Sequence, residues 1–345
     1  GRRSKVRFKE ILRVFERNLH KSAIFRRKLA GGAMGLDMPW WVEDPDFDLE
    51  FHVRHIALPN PGDWRQLCIL LARLHARGLD MQRPLWEAYV IEGLSGVEGL
   101  PKGSFAVMLK VHHSAIDGVS AAEILNAIHS LTDEIEPPEV DAPWKGESDP
   151  PPLKIWSQAY VNNLRRPFKF LETVGELVPA VRRVQELGLN RKEDEPKTAV
   201  RTLFNDRVSA FRVTDTIIMD LVQIKAIKNA VEGATINDVI VSIVGGGMRK
   251  YLLQNDGLPE ASLSCGAPIN LRAERNSDSR GNEVGMMTID MATDVEDALE
   301  RLQAVVSHTG ESKAYSNALG ANVMMDITRS ISPAVIGMGL RTASL

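Results

Sequence analysis

The sequence has little cysteine, with two cysteines in 345 residues. Cys68 and Cys265 stand in the apolar stretches Gln-Leu-Cys-Ile-Leu and Leu-Ser-Cys-Gly-Ala. Such surroundings are typical of small core residues, and they do not indicate a disulfide framework or a zinc site. We therefore expect a reducing, cytoplasmic compartment and no bound metal.

The chain also lacks an excess of charge of either sign. Its 42 Lys and Arg residues stand against 45 Asp and Glu residues, which leaves a formal net charge of -3. Nucleic acid is held largely by neutralising its phosphates with basic side chains. We therefore expect no nucleic-acid partner.

No run of about 18 uncharged apolar residues occurs, so we expect no segment that spans a bilayer. The first residues, Gly-Arg-Arg-Ser-Lys-Val-Arg-Phe, are basic, but a charged amphipathic stretch follows them instead of the apolar run of a secretion signal. Contact with a membrane or with lipid inclusions is therefore expected to be peripheral.

Apolar residues make up 44% of the chain, enough for two domains of ordinary size. Pro, Asp and Glu are concentrated between Asp133 and Pro152, a composition that favours a linker. We predict an N-terminal domain over residues 1–132, a linker with crossover helices over 133–208, and a C-terminal domain over 209–345. Both domains are predicted to mix strands and helices.

Hydrophobic periodicity supplies the individual elements. Helices are predicted over Val6–Lys28, Asp63–Arg77, Asp117–Leu131, Leu153–Leu189 with a break near Pro167, and Thr235–Leu253. Strands are predicted over Leu49–Leu58, Trp86–Ile91, Phe105–Val111, Ile217–Asp220, Leu263–Ile269 and Val284–Met291, with further helices towards the last residue.

The sharpest candidate for chemistry is the segment Lys110-Val-His-His-Ser-Ala-Ile-Asp-Gly118, where an apolar strand ends and a helix begins. Neighbouring residues of a strand point to opposite faces, so His112 and His113 are a poor pair of ligands for one metal. A structural interpretation is also open, because Asp117 stands where a helix N-cap is expected.

Four motifs in order carry a resemblance to a known family. They are Pro84-Leu-Trp-Glu87, His112-His-Ser-Ala-Ile-Asp-Gly118, Asn237-Asp-Val239 and Pro268-Ile-Asn-Leu-Arg272. The second has the His-His-x-x-x-Asp-Gly pattern of the coenzyme A dependent acyltransferases. Together with Phe51-His-Val-Arg-His55, the set resembles the bacterial wax ester synthase/diacylglycerol acyltransferase family from about residue 5 to the last residue.

This resemblance implies a two-domain α/β fold like that of chloramphenicol acetyltransferase, with the active site in a channel between the halves. It implies that His113 is the general base, with His112 in support and Gly118 beside it. A positioned imidazole that takes the proton of an alcohol contributes about 10²–10⁴-fold in rate. Asp117 is implied to be structural, in an ion pair, and Arg272 is our first choice of partner.

The remaining motif residues are candidate substrate contacts. The Asn270 amide, at a strand end, could donate to a developing oxyanion. Trp86 has the alternative of anchoring the core, and Asn237 and Asp238 the alternative of capping a helix. Gly245-Gly-Gly247 lies in a predicted helix without a following Lys-Ser/Thr pair, so it indicates close helix packing and not a phosphate loop.

The implied activity is direct transfer of a long-chain acyl group from acyl-coenzyme A to diacylglycerol or a fatty alcohol, which belongs to triacylglycerol, wax ester and glycerol metabolism. No bound cofactor and no metal are implied, and the oligomeric state stays open. One alternative is a condensation-type domain that takes its acyl group from a carrier protein. Another is a non-catalytic lipid-binding protein of the same fold. Family members usually begin earlier and end later, so we expect the fold to be truncated at both ends.

Aromatic and basic residues are interspersed between Leu153 and Arg183. The aromatic residues are Trp156, Tyr160, Phe168 and Phe170, and the basic ones are Lys154, Arg165, Arg166, Lys169, Arg182 and Arg183. We predict that they dock at an anionic lipid surface. The alternative is that the aromatic rings pack the crossover helices against the two domains.

Overall fold

A computed structural model of the protein describes residues 8–31, 37–101, 103–115, 125, 128–129, 146–186, 200–255, 257–270 and 284–319. Nearly all of the predicted helix Asp117–Leu131 lies outside this part of the chain. So do most of the predicted linker and the last residues.

The chain begins with α1 (Phe8–Asn18), β1 (Arg27–Ala30) and β2 (Trp40–Glu43). The predicted helix to Lys28 is therefore wrong beyond Asn18. Two short 3-10 turns, Leu19–Lys21 and Ala23–Phe25, follow α1. The backbone of β1 then pairs antiparallel with β2, a partner that helical spacing within one segment cannot reveal.

A three-stranded sheet with two helices follows: α2 (Leu49–His52), β3 (Val53–Ala57), α3 (Trp64–Ala76), β4 (Trp86–Glu92) and β5 (Ala106–Val111). β3 is parallel to β4, and β5 is antiparallel to it. The last three elements lie where the sequence predicts them. The predicted strand from Leu49 begins only at Val53, because Asp48 accepts a hydrogen bond from the Glu50 amide at 2.9 Å and caps a turn of helix.

The central strand β4 is buried on both faces, and its alternation divides two core clusters. Trp86, Ala88 and Val90 pack on one side with the aromatic rings of Phe15 and Phe25. On the other side, Tyr89 and Ile91 pack against α3 through Leu67 and Leu74. β4 is thus the strand around which the N-terminal half is built.

A single long helix, α4 (Pro152–Glu186), follows and contains Pro167 and Pro179. The predicted break near Pro167 is wrong. A proline removes one backbone donor, but the turns on either side keep their own hydrogen bonds, and here the helix continues through it. Asn162 and Arg166, in the turn that precedes Pro167, are both hydrogen-bonded to Asp37.

The C-terminal half contains α5 (Leu221–Asn229), α6 (Ile236–Asn255), β6 (Ser264–Asn270), β7 (Val284–Asp290) and α7 (Ala298–Leu319). β6 pairs antiparallel with β7. The predicted strand Ile217–Asp220 is not formed, because no neighbouring strand pairs with it in the described part of the chain. Asp220 instead caps α5, where it accepts from the Val222 amide at 2.7 Å.

The glycine triplet lies inside α6, and the predicted close packing is found at Gly245 and Gly246. A Cβ atom on Gly245 would stand 2.5 Å from the Met291 carbonyl oxygen, and one on Gly246 would stand 2.7 Å from the Arg301 guanidinium. A Cβ atom on Gly247 would meet nothing within 4 Å. Within the described ranges, no helix is long and apolar enough to cross a bilayer.

Candidate active site

The histidine pair lies in a turn directly after β5. The backbone N–H of His112 donates to the Leu85 carbonyl at 2.9 Å, one step past the last strand pair, which joins Trp86 to Val111. The Ala115 amide then closes the turn on the His112 carbonyl at 3.0 Å. The Pro-Leu-Trp and His-His segments, 26 positions apart in the sequence, are therefore neighbours at one end of the sheet.

The two histidines differ in their surroundings. The Ser114 amide donates to Nδ1 of His112 at 3.1 Å, and the Ser114 hydroxyl lies 2.7 Å from the same nitrogen. Since a backbone N–H can only donate, Nδ1 of His112 is an acceptor and belongs to the turn. The His113 side chain is exposed. Of the pair, His113 is the more exposed residue.

Trp86 anchors the core beneath this turn. Its side chain is 1% exposed, and its indole N–H donates to the Phe25 carbonyl at 3.0 Å. His52 stacks on it at 4.7 Å between ring centroids, with Nδ1 2.6 Å from the Trp86 carbonyl oxygen. Burial lowers the pKa of His52, so this ring is neutral near pH 7 and donates through Nδ1.

A buried polar group lies beside the next residue of the same segment. Glu87 is 6% exposed and accepts a hydrogen bond from the Tyr89 hydroxyl at 2.5 Å. Arg54 approaches its other oxygen at 3.5 Å. Burial, followed by the bond to Glu87, raises the pKa of Tyr89 to about 12, so the phenol keeps its proton and remains a donor. Sequence analysis missed this group for two reasons. Arg54 belongs to β3 and Glu87 to β4, and the pattern of a strand does not show that residues two positions apart, such as Glu87 and Tyr89, form a hydrogen bond.

Lys110 ties the histidine strand to the end of α3. It stands opposite Glu87 in the sheet, two residues before His112. Its ammonium group donates to the Leu74 carbonyl at 3.0 Å and to the Arg77 carbonyl. These oxygens end the helix, where a cation is favoured. Burial lowers the pKa of Lys110.

The candidate residues of the C-terminal half lie in two places. Asp238, 2% exposed, accepts from both the amide and the hydroxyl of Thr235 at 2.8 and 2.7 Å, which closes the start of α6. Asn237 is exposed in the same turn. Asn270 ends β6, where its backbone pairs with Val284. Asp117, Gly118 and Arg272 lie outside the described residues, so the predicted ion pair stays a prediction.

The cysteines are free thiols, Cys68 buried and Cys265 half-buried. Burial raises the pKa of both, which leaves little thiolate near pH 7. No group of three or more His, Cys, Asp or Glu side chains in the described ranges is arranged to hold a metal ion.

Two family models match the sequence. The model of the wax ester synthase/diacylglycerol acyltransferase catalytic domain matches residues 2–240, and the model of the WS/DGAT C-terminal domain matches residues 280–342. The chain belongs to this family. The resemblance that the four motifs indicate is thereby confirmed.

Relatives of this WS/DGAT protein include a probable diacylglycerol O-acyltransferase, tgs2, of Mycobacterium tuberculosis. It is 34% identical over 295 residues, which cover 85% of this chain and 63% of the relative. A putative diacylglycerol O-acyltransferase of the same organism is 30% identical over 318 residues, 92% of this chain and 61% of the relative. The chain thus spans less than two thirds of the length of these relatives.

Solved structures confirm the predicted fold class. The wax ester synthase/diacylglycerol acyltransferase from Marinobacter aquaeolei VT8 matches with a TM-score of 0.59 at 26% identity, over 93% of this chain and 67% of that one. The first condensation domain of the calcium-dependent antibiotic synthetase matches with a TM-score of 0.52 at 15% identity, over 92% and 71%. The second likeness concerns the fold alone.

Proposed function

We propose that this WS/DGAT protein is an O-acyltransferase that moves a long-chain fatty acyl group from acyl-coenzyme A to diacylglycerol or a fatty alcohol. Its family membership and the names of its mycobacterial relatives support acyl transfer. The products are triacylglycerol or a wax ester. Coenzyme A is a co-substrate in this proposal and not a resident cofactor.

The observation that carries the proposal is the turn after β5. The His112 backbone and ring both form hydrogen bonds within that turn, and His113 is exposed beside it. A general base must reach the proton that it abstracts, so an exposed ring on a fixed turn is suited to the work. The buried Trp86 below keeps the end of the sheet in place.

In the proposed step, His113 takes the proton of the acceptor hydroxyl while the hydroxyl oxygen attacks the thioester carbonyl carbon. The C–S bond then breaks, and the leaving thiolate takes a proton from the imidazolium. The products are an ester and free coenzyme A, and no acyl-enzyme forms. The cysteines are poor rivals for His113 as the reactive group, since the raised pKa of each keeps it protonated.

The other motif residues have supporting roles in this proposal. Asn270 is suited to donate to the oxyanion from the end of β6. The resemblance implies an ion pair for Asp117, for which Arg272 is our first choice of partner, so Asp117→Ala is expected to lower the melting temperature together with the rate, as breaking a buried pair costs about 3–5 kcal/mol. A loss of rate at an unchanged melting temperature would show that Asp117 is catalytic.

The test is the synthesis of neutral lipid by purified protein from radiolabelled palmitoyl-coenzyme A, with diacylglycerol or hexadecanol in parallel. His113→Ala is expected to lower the rate by about 10²–10⁴-fold with unchanged circular dichroism. His112→Ala should have a smaller effect, because it removes the acceptor of the Ser114 amide in the turn and leaves the general base in place. His75→Ala, which changes an exposed histidine of α3, is the matched control and should be silent.

Three outcomes would contradict the proposal. Equal rates for His113→Ala and the wild type would remove the base from the mechanism. Transfer from a palmitoyl carrier protein but not from palmitoyl-coenzyme A would favour a condensation-type donor. Binding of palmitoyl-coenzyme A without any product would favour a non-catalytic lipid-binding protein.

A further inference from the structure

The long helix α4 has one face that is fixed to the rest of the protein. Ala159, Asn162 and Arg166 recur at helical spacing on this face. Ala159 is 2% exposed. Asn162 donates to one oxygen of the Asp37 carboxylate at 2.7 Å, and Arg166 donates to the other at 2.9 Å. These contacts set the rotation of the helix about its axis.

The opposite face of α4 carries an apolar stripe. We call it the α4 stripe, and it consists of Leu153, Trp156, Tyr160, Leu164, Phe168 and Leu171. Their spacing keeps them on one side of the helix over about 30 Å. Tyr160 and Phe168 are each 71% exposed, Leu153 is 82% exposed and Trp156 is 46% exposed. Single exposed apolar residues are ordinary, but a contiguous row marks an interaction surface.

The charge of α4 is predominantly positive. From Pro152 to Glu186 the sequence has six basic residues, Lys154, Arg165, Arg166, Lys169, Arg182 and Arg183, against three acidic ones, Glu172, Glu176 and Glu186. Arg166 is turned towards Asp37, so the predicted lipid contact of this residue is wrong. The Arg165 side chain is exposed, as are Arg182 and Arg183 near the end of the helix.

We infer that α4 lies on the surface of an anionic lipid bilayer, with the α4 stripe inserted at the headgroup boundary. A helix with aromatic and leucine side chains on one face and basic side chains beside them has the composition of an interfacial helix. The excess of basic over acidic residues along α4 complements a negatively charged lipid surface. Vesicle binding requires no turnover, so this inference stands or falls separately from acyl transfer.

The test is co-sedimentation of the purified protein with vesicles of phosphatidylcholine and phosphatidylglycerol, compared with phosphatidylcholine alone. One variant, Tyr160→Ser with Phe168→Ser, removes the two most exposed rings of the stripe. Its matched control is Leu253→Ser, which changes a residue of α6 that is 58% exposed. A second variant, Arg165→Glu, reverses one charge beside the stripe, and its control is Lys225→Glu on the exposed side of α5.

The wild type is expected to bind the anionic vesicles and to bind more weakly as salt is added. The double serine variant should bind at least about tenfold more weakly, because it lacks two rings that the proposal inserts into the bilayer. Arg165→Glu should weaken binding at low salt, by about fivefold or more, and have little effect at high salt. Both controls should bind like the wild type, and circular dichroism should be unchanged in every variant.

The inference is overturned if the wild type does not bind anionic vesicles at low salt. It is also overturned if the stripe variants and their controls bind equally. A third contrary outcome comes from sedimentation without lipid: a dimer in the wild type that becomes a monomer in the double serine variant would assign the stripe to contact between copies of this chain.

Discussion

Tyr89→Phe isolates the buried hydrogen bond between the phenol and Glu87. The change removes one oxygen and leaves the ring, so the packing of the core is kept. The Glu87 carboxylate, which is 6% exposed, then loses the phenol donor but keeps its contact with Arg54 at 3.5 Å. A hydrogen bond to a charged group contributes about 1.5–3 kcal/mol. The free energy of unfolding at pH 7 should therefore fall by about 2–3 kcal/mol.

The pKa of Tyr89 determines how this stabilisation depends on pH. It rises from 10.0 to about 12, first because the phenol is buried and then because it donates to Glu87. A raised pKa means that the stabilisation is complete below pH 10 and is lost as the pH rises to about 12.

Urea unfolding followed by circular dichroism measures the effect, with Tyr160→Phe as the matched control because Tyr160 is 71% exposed. The difference between wild type and Tyr89→Phe should be constant from pH 7 to about pH 9 and shrink between about pH 10 and 12. Equal stabilities of the Tyr89 and Tyr160 variants would refute the reasoning. So would a difference that grows above pH 10.

Two further substitutions test the packing of α6 and the tie to α3. Gly245→Ala should lower the melting temperature, because its Cβ would meet the Met291 carbonyl oxygen at 2.5 Å; Gly247→Ala should raise the unfolding free energy by up to about 1 kcal/mol. Equal effects of the two alanines would contradict the close approach. Lys110→Met should lower the free energy of unfolding, measured with urea, by about 2 kcal/mol, because the Leu74 carbonyl loses a charged donor. An unchanged urea midpoint would show that water replaces the ammonium group as the donor.

The sequence predicts those elements best whose pattern is set within the segment itself. The helix Trp64–Ala76 is amphipathic and has the Asp63 cap with its reciprocal Gln66 bond, and both features are legible in the sequence. β4 is apolar apart from Glu87 and the last residue, Glu92, and a predominantly apolar run is typical of a strand buried on both faces. These elements were therefore predicted within about two residues, the scatter expected at element ends.

The errors arise where a distant partner decides the local structure. β1 is a strand because β2 pairs with it, although Arg27 and Lys28 continue a helical pattern. α4 passes through Pro167 although the sequence favours a break there, and its fixed face depends on Asp37, more than 120 positions away.

In the candidate site, too, the sequence predicts what is set within one segment and misses what depends on contacts between residues. The four motifs identify the family, and the strand end that carries His112 and His113 is predicted correctly. Sequence gives no sign that Ser114 engages His112 or that Tyr89 donates to Glu87, because both depend on the turn and the pairing that the chain adopts. The roles of Asn237 and Asn270 towards substrate stay predictions.

The hydrogen bonds of α4 to Asp37 also bear on the order in which the chain folds. They join residues 125 and 129 positions apart, and closing a loop of that length costs about 4 kcal/mol in chain entropy. Because this entropy must be lost before the contacts can form, we expect them to form late in folding. Contacts that are absent from the transition state act mainly on the rate of unfolding. Asp37→Asn should therefore speed unfolding and leave the folding rate nearly unchanged.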